Sequence, residues 1–118
     1  MTDREQVSAE MARTAFQRKA VARQSADAVL DAAVAFFAER GYRSGRTGRP
    51  NQVFVMGGRE GVLPRVTAEI LVQPNVGKAK VTMVTISGFG EQLSGHLADY
   101  AASLRAKRAP ASPDGSAE

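Results

Sequence analysis

Four arginines, Arg40, Arg43, Arg46 and Arg49, recur at every third position of RGYRSGRTGR, with glycines between them and no acid in the run. A guanidinium pairs with oxyanions through two parallel hydrogen bonds, and glycine lets the backbone follow an anionic ligand. Tyr42, inside the run, could stack on an unpaired base, and Arg59 continues the basic stretch. This combination points to binding of a nucleic acid or another polyanion, with Arg40, Tyr42, Arg43, Arg46, Arg49 and Arg59 as contacts. Charge distribution agrees: residues 40–65 sum to +5, whereas 1–39 and 66–104 each sum to −1. The plainer reading is an ordinary solvated connection. Arginine outnumbers lysine twelve to four and there are twenty alanines, a bias that GC-rich coding also produces.

A second candidate is Gly88-Phe89-Gly90, between a strand-like run and a helix-like one, where helix N-terminal amides can hold a phosphate. The full dinucleotide pattern would need a third glycine at position 93, which is Leu93, and a second strand after the helix. A tight strand-to-helix turn explains Gly88 and Gly90 more simply. His96 is the single histidine and there is no cysteine. That removes disulfides, thiolate metal sites and a cysteine nucleophile, and leaves no set of zinc ligands. Asp99 stands three residues after His96, so a local ion pair is the plain role for both. No nucleophile and base suggest themselves, and no metal or cofactor is expected.

The elements that must position these residues change character at Gly41. The first forty residues hold no glycine or proline, and eleven of them are alanine. From Ala26 the residues Ala26, Val29, Leu30, Ala33, Phe36 and Phe37 share one helical face, with Gly41 as its C-terminal stop. Residues 1–24 are polar and weakly patterned, and are expected to form a helical extension able to meet a partner. Gln52–Met56 is a short strand. Val62–Gln73 alternates, with Val66, Ala68, Ile70 and Val72 on one face, Arg65, Thr67, Glu69 and Gln73 on the other, and Leu71 out of pattern. Ala79–Ser87 is a third strand. Leu93, Leu97, Tyr100 and Leu104 then trace a second amphipathic helix over 91–107.

Ser25–Tyr42, through Val29-Leu30-Asp31-Ala32-Ala33 and Phe37-Ala38-Glu39-Arg40-Gly41-Tyr42, resembles the first helix of a TetR-type repressor. The resemblance covers about eighteen residues and implies a helix that supports DNA-reading helices following it. Here Gly45, Gly48 and Pro50 break any such second helix. No function is carried over.

The expectation is therefore an α+β domain, α-β-β-β-α, a two-layer sandwich with a three-stranded antiparallel meander and two helices on one face. Residues 25–107 form the domain, after a helical extension over 1–24, and 108–118 form a disordered tail rich in alanine, proline and charge. About 80 residues make a small core, which favours association with a second copy. The leading function is a non-enzymatic interaction module that self-associates, with protein partners also available through the N-terminal helix. Nucleic-acid binding is the alternative. A third reading is an apolar ligand between sheet and helices, lined by Phe36, Phe37, Val66, Ile70, Met83 and Tyr100. No run has membrane-spanning length and the first residues do not read as a signal peptide, so the expected location is the cytoplasm.

Overall fold

The computed structural model describes residues 2–108. It contains three helices and a five-stranded antiparallel sheet: α1 (Thr2–Arg13), β1 (Phe16–Ala22), α2 (Ala26–Glu39), β2 (Arg43–Arg46), β3 (Gln52–Met56), β4 (Thr67–Val76), β5 (Val81–Gly88) and α3 (Glu91–Arg108). The strands lie in the order β1-β5-β4-β3-β2. The expected meander is β3-β4-β5, and two further strands flank it. The sheet therefore begins inside the stretch read as a helical extension, and the loop read through the arginines is in part the edge strand β2.

Both added strands are edges, and their neighbours hold them. β1 pairs along its whole length with β5, from Phe16↔Gly88 to Ala22↔Thr82. Its helix-facing positions include Ala20 and Ala22, both buried. Small side chains there let α3 approach, while Arg18 and Lys19 discourage further strand addition at this edge. β2 pairs with β3 from Arg43↔Met56 to Arg46↔Val53. The tail beyond Arg108 lies outside the described residues, as does Met1.

Helix α2 starts where Ser25 accepts a hydrogen bond from the Ala28 amide at 3.2 Å, the ordinary N-cap use of serine. It ends in a Schellman arrangement: the Gly41 amide donates to Ala38 and the Tyr42 amide to Phe37. Gly41 has φ 89°, a backbone that glycine adopts without a Cβ penalty. The accompanying apolar contact is Tyr42 against Phe37, with ring centroids 6.4 Å apart.

One face of the sheet carries the core. Val53, Val55, Ala68, Ile70, Val72, Val84 and Ile86 are buried beneath Val29, Leu30, Ala33 and Phe37 of α2 and Leu93, Leu97, Tyr100 and Leu104 of α3. Phe36, Phe37 and Tyr100 meet at centroid distances of 5.0 to 5.5 Å, a contact geometry favourable to the ring quadrupoles. Strand alternation sends Phe54, Met56, Leu71, Met83 and Thr85 to the opposite face. Leu71, which broke the sequence pattern, is 38% exposed there.

Helix α1 is joined to this body by Val7, which packs against the core, and by hydrogen bonds at Thr14. The Thr14 hydroxyl donates to the Glu10 carbonyl at 2.7 Å and accepts from the Gly90 amide at 2.9 Å. Ser94 donates to the Thr14 carbonyl at 2.6 Å, and Arg13 bridges Glu10 and Glu91. These bonds tie the α1–β1 junction to the start of α3.

Candidate functional site

The arginines read as one anion-binding run are dispersed by the strand they sit on. Side chains alternate along a β-strand, so a spacing of three sends Arg43 and Arg46 to opposite faces. Arg46 turns to the helix side, where its guanidinium contacts Asp31 at 2.8 Å and Asp27 at 3.2 Å. Those α2 carboxylates raise its already high pKa, the Asp31 hydrogen bond most of all. Arg40 lies over the Phe36 ring, 3.5 Å from its centroid, and donates to the Phe36 carbonyl at 2.9 Å. Arg43, Arg49 and Arg59 are exposed and belong to an edge strand, a turn and the β3–β4 connection respectively.

Tyr42 is half-buried and points into the protein. Its ring meets His96 edge-on at 5.5 Å, and burial, followed by the Glu60 charge, pushes its phenol pKa up. It is not positioned as a stacking platform. His96 accordingly faces an aromatic neighbour, and among the described residues Asp99 forms no ion pair with it.

Gly88 and Gly90 serve close packing. A Cβ at Gly88 would lie 2.6 Å from the Ala68 Cβ and 2.9 Å from the Leu97 Cδ1, and one at Gly90 2.5 Å from the Val66 Cγ1. The α3 amides that could have held a phosphate already face an anion of the chain itself. Gln92 donates to Glu60 Oε1 at 2.9 Å and Leu93 to Oε2 at 3.1 Å. A carboxylate at a helix N-terminus satisfies orphan amides and complements the helix dipole. In sequence, Glu60 stands among Gly57, Gly58 and Gly61 and gives no local sign of this reach.

The space between sheet and helices is occupied by packed side chains. Phe37, Val66, Ile70 and Tyr100 from the expected apolar pocket are buried in that core, whereas Met83 belongs to the other face. A concavity lies elsewhere, at one end of the uncovered face: a groove of about 470 Å³ lined by Ala15, Phe16, Gln17, Phe54, Thr67, Ala68, Glu69, Ser87, Gly88 and Phe89. Its centre is one cross-strand row, Gln17–Ser87–Glu69–Phe54, contributed by four adjacent strands. Gln52 donates its side-chain amide to Glu69 Oε2 and accepts from the Thr47 hydroxyl at 2.7 Å. This short relay orients the carboxylate from the β2–β3 turn. Among the described residues Glu69 forms no ion pair.

Sequence reasoning missed this row because its members come from segments far apart in the chain. The one available signal was the alternation of β4, which already separated Glu69 and Thr67 from the core. Among the described residues no group of three histidines or acids could hold a metal ion, and no helix is long and apolar enough to cross a membrane. No known protein family, curated protein or solved structure matches the chain.

Proposed function

We propose that this protein is a non-enzymatic interaction module, a two-layer α+β sandwich that associates with a second copy of itself through the uncovered face of its sheet. The observation that carries the reading is the asymmetry of the sheet. Both core helices cover one side, while the other presents Phe54 and Leu71, each 38% exposed, beside Met56, Met83, Val21 and Thr85. Exposed apolar side chains gathered on one face favour a protein contact.

Size and charge favour a second copy as the occupant. Five strands at a spacing of about 4.8 Å, each about seven residues long, give a face of roughly 550 Å² before side-chain relief is counted. That is of the order of the ~800 Å² each partner contributes to a stable complex. The face carries both signs, Lys19 and Arg43 at its edges and Glu69 near its middle, so two copies can mate without a one-signed field opposing them. Polyanion binding has narrower support, because Arg40 and Arg46 are engaged within the fold and Tyr42 is turned inward.

The test is sedimentation velocity over a wide concentration range, beside a Leu71→Lys variant. Self-association predicts a mass rising from the 12.5 kDa of one chain toward twice that value, and a variant that stays monomeric. A wild-type protein that is monomeric at about 200 µM, well above the Kd of a specific complex, would overturn the reading. So would a variant that associates equally well.

A further inference from the structure

We infer that the groove around Glu69 is a binding site for an organic cation, an ammonium group carried on an aromatic or alkyl body. Its volume of about 470 Å³ falls within the range of small-molecule sites, roughly 300–1,000 Å³. Its lining combines two features that select for positive charge. Phe16, Phe54 and Phe89 supply aromatic surface, and ring faces attract ammonium groups, as in the aromatic cages that hold methylated amines. Glu69 supplies the one carboxylate among the lining residues. One of its oxygens accepts from Gln52, which orients the group without neutralising it.

Phe16 shares the helix-facing side of β1 with Arg18 and already holds a cation of the chain itself. The Arg18 guanidinium lies over its ring at 5.3 Å from the centroid. Phe54 is the more open wall, directly opposite Glu69 in the β3–β4 register, so a cation reaching the carboxylate also reaches that ring. Ser87, Glu69's partner on β5, adds a hydroxyl for a donor or acceptor on the ligand. An anionic ligand would face Glu69 and find no cation among the lining residues. A neutral ligand would leave the carboxylate's desolvation unrewarded.

The inference does not depend on self-association, and the experiment separates the two by using dilute protein whose mass is measured in parallel. Backbone amide NMR spectra are recorded on the full chain while benzyltrimethylammonium, benzyl alcohol and benzoate are titrated in turn. The expected result is saturable shifts at Glu69, Ser87 and Gly88 with benzyltrimethylammonium and none of comparable size with benzoate or benzyl alcohol. Glu69→Gln and Phe54→Ala should each weaken the cation about fivefold, the scale of one ion or cation–π contact at an exposed site. Both residues lie on the uncovered face, and unchanged amide shifts in the core will verify that each variant is folded. The inference fails if the cation shifts no groove amide, if benzoate or benzyl alcohol binds there as well as the cation, or if Glu69→Gln leaves cation binding unchanged.

Discussion

Changing Tyr100 to Phe should stabilise the protein, although it removes a polar group from the centre of the core. Tyr100 is 1% exposed, and its ring lies edge-on or tilted to Phe36 and Phe37 at 5.3 and 5.5 Å. Its hydroxyl is buried without a hydrogen-bond partner. Leaving a hydroxyl in that state costs about 1–3 kcal/mol relative to water, and phenylalanine keeps the ring while removing the cost. The void left by one oxygen, on the order of 10 Å³, opposes the gain by only ~0.25 kcal/mol at ~24 cal/mol per Å³. A net gain of about 1 kcal/mol or more follows, equivalent to a Tm rise of about 4 °C or more for a domain of this size.

Urea unfolding followed by circular dichroism gives the free energy, and its pH dependence supplies a second readout. Burial pushes the Tyr100 pKa well above its ordinary 10.0. The unfolded chain therefore releases this proton first, and stability falls as pH rises above about 10. Tyr100→Phe should remove part of that alkaline slope and leave the part due to Tyr42, whose pKa burial and Glu60 also raise. A variant less stable than wild type by more than about 0.5 kcal/mol would refute the reasoning, since only a hydroxyl with a partner produces that sign. His96 Nδ1, one turn earlier on α3, is also a buried side-chain atom without a hydrogen-bond partner. A double-mutant cycle with His96 would then show whether the two share an ordered water.

Three further outcomes test other parts of the fold. Glu60→Ala should cost about 1–2 kcal/mol, the scale of a lost helix cap, and lower the Tyr42 titration seen by ultraviolet difference absorbance. Unchanged stability would mean that the Gln92 and Leu93 amides find water equally well. Gly88→Ala should cost about 2 kcal/mol or more through overpacking, because the new methyl meets the Ala68 side chain, the Thr67 carbonyl and Leu97; a neutral effect in thermal unfolding would contradict the close β4–β5–α3 approach. Gly41→Ala should cost about 1–2 kcal/mol from backbone conformation alone, as nothing lies within 4 Å of the added atom. A cost much above that in chemical denaturation would contradict the open surroundings of the turn.

Where burial periodicity is written locally, the sequence alone determined the outcome. The stripe Leu93, Leu97, Tyr100 and Leu104 specifies α3, and the stripe from Val29 to Phe37 specifies α2 together with its Gly41 end. The alternation of Val66, Ala68, Ile70 and Val72 specifies the buried face of β4, although the strand runs from Thr67 to Val76 rather than from Val62 to Gln73. These patterns are legible because each repeats at the period of its own element, 3.6 or 2. Tertiary structure alone decided the rest. In FQRKAVA the helix-facing residues include two alanines and an arginine, so β1 has almost no amphipathic signature and exists because β5 offers a free edge. The arginine spacing looked like one surface until strand alternation separated Arg43 from Arg46 and the α2 carboxylates engaged the latter. Glu60 became a helix cap only through a contact about thirty residues along the chain, and Phe16, Phe54, Glu69 and Phe89 became neighbours only through register. Local sequence encodes which face of an element avoids water. Which faces then meet depends on strand order and pairing, long-range choices that no short window contains.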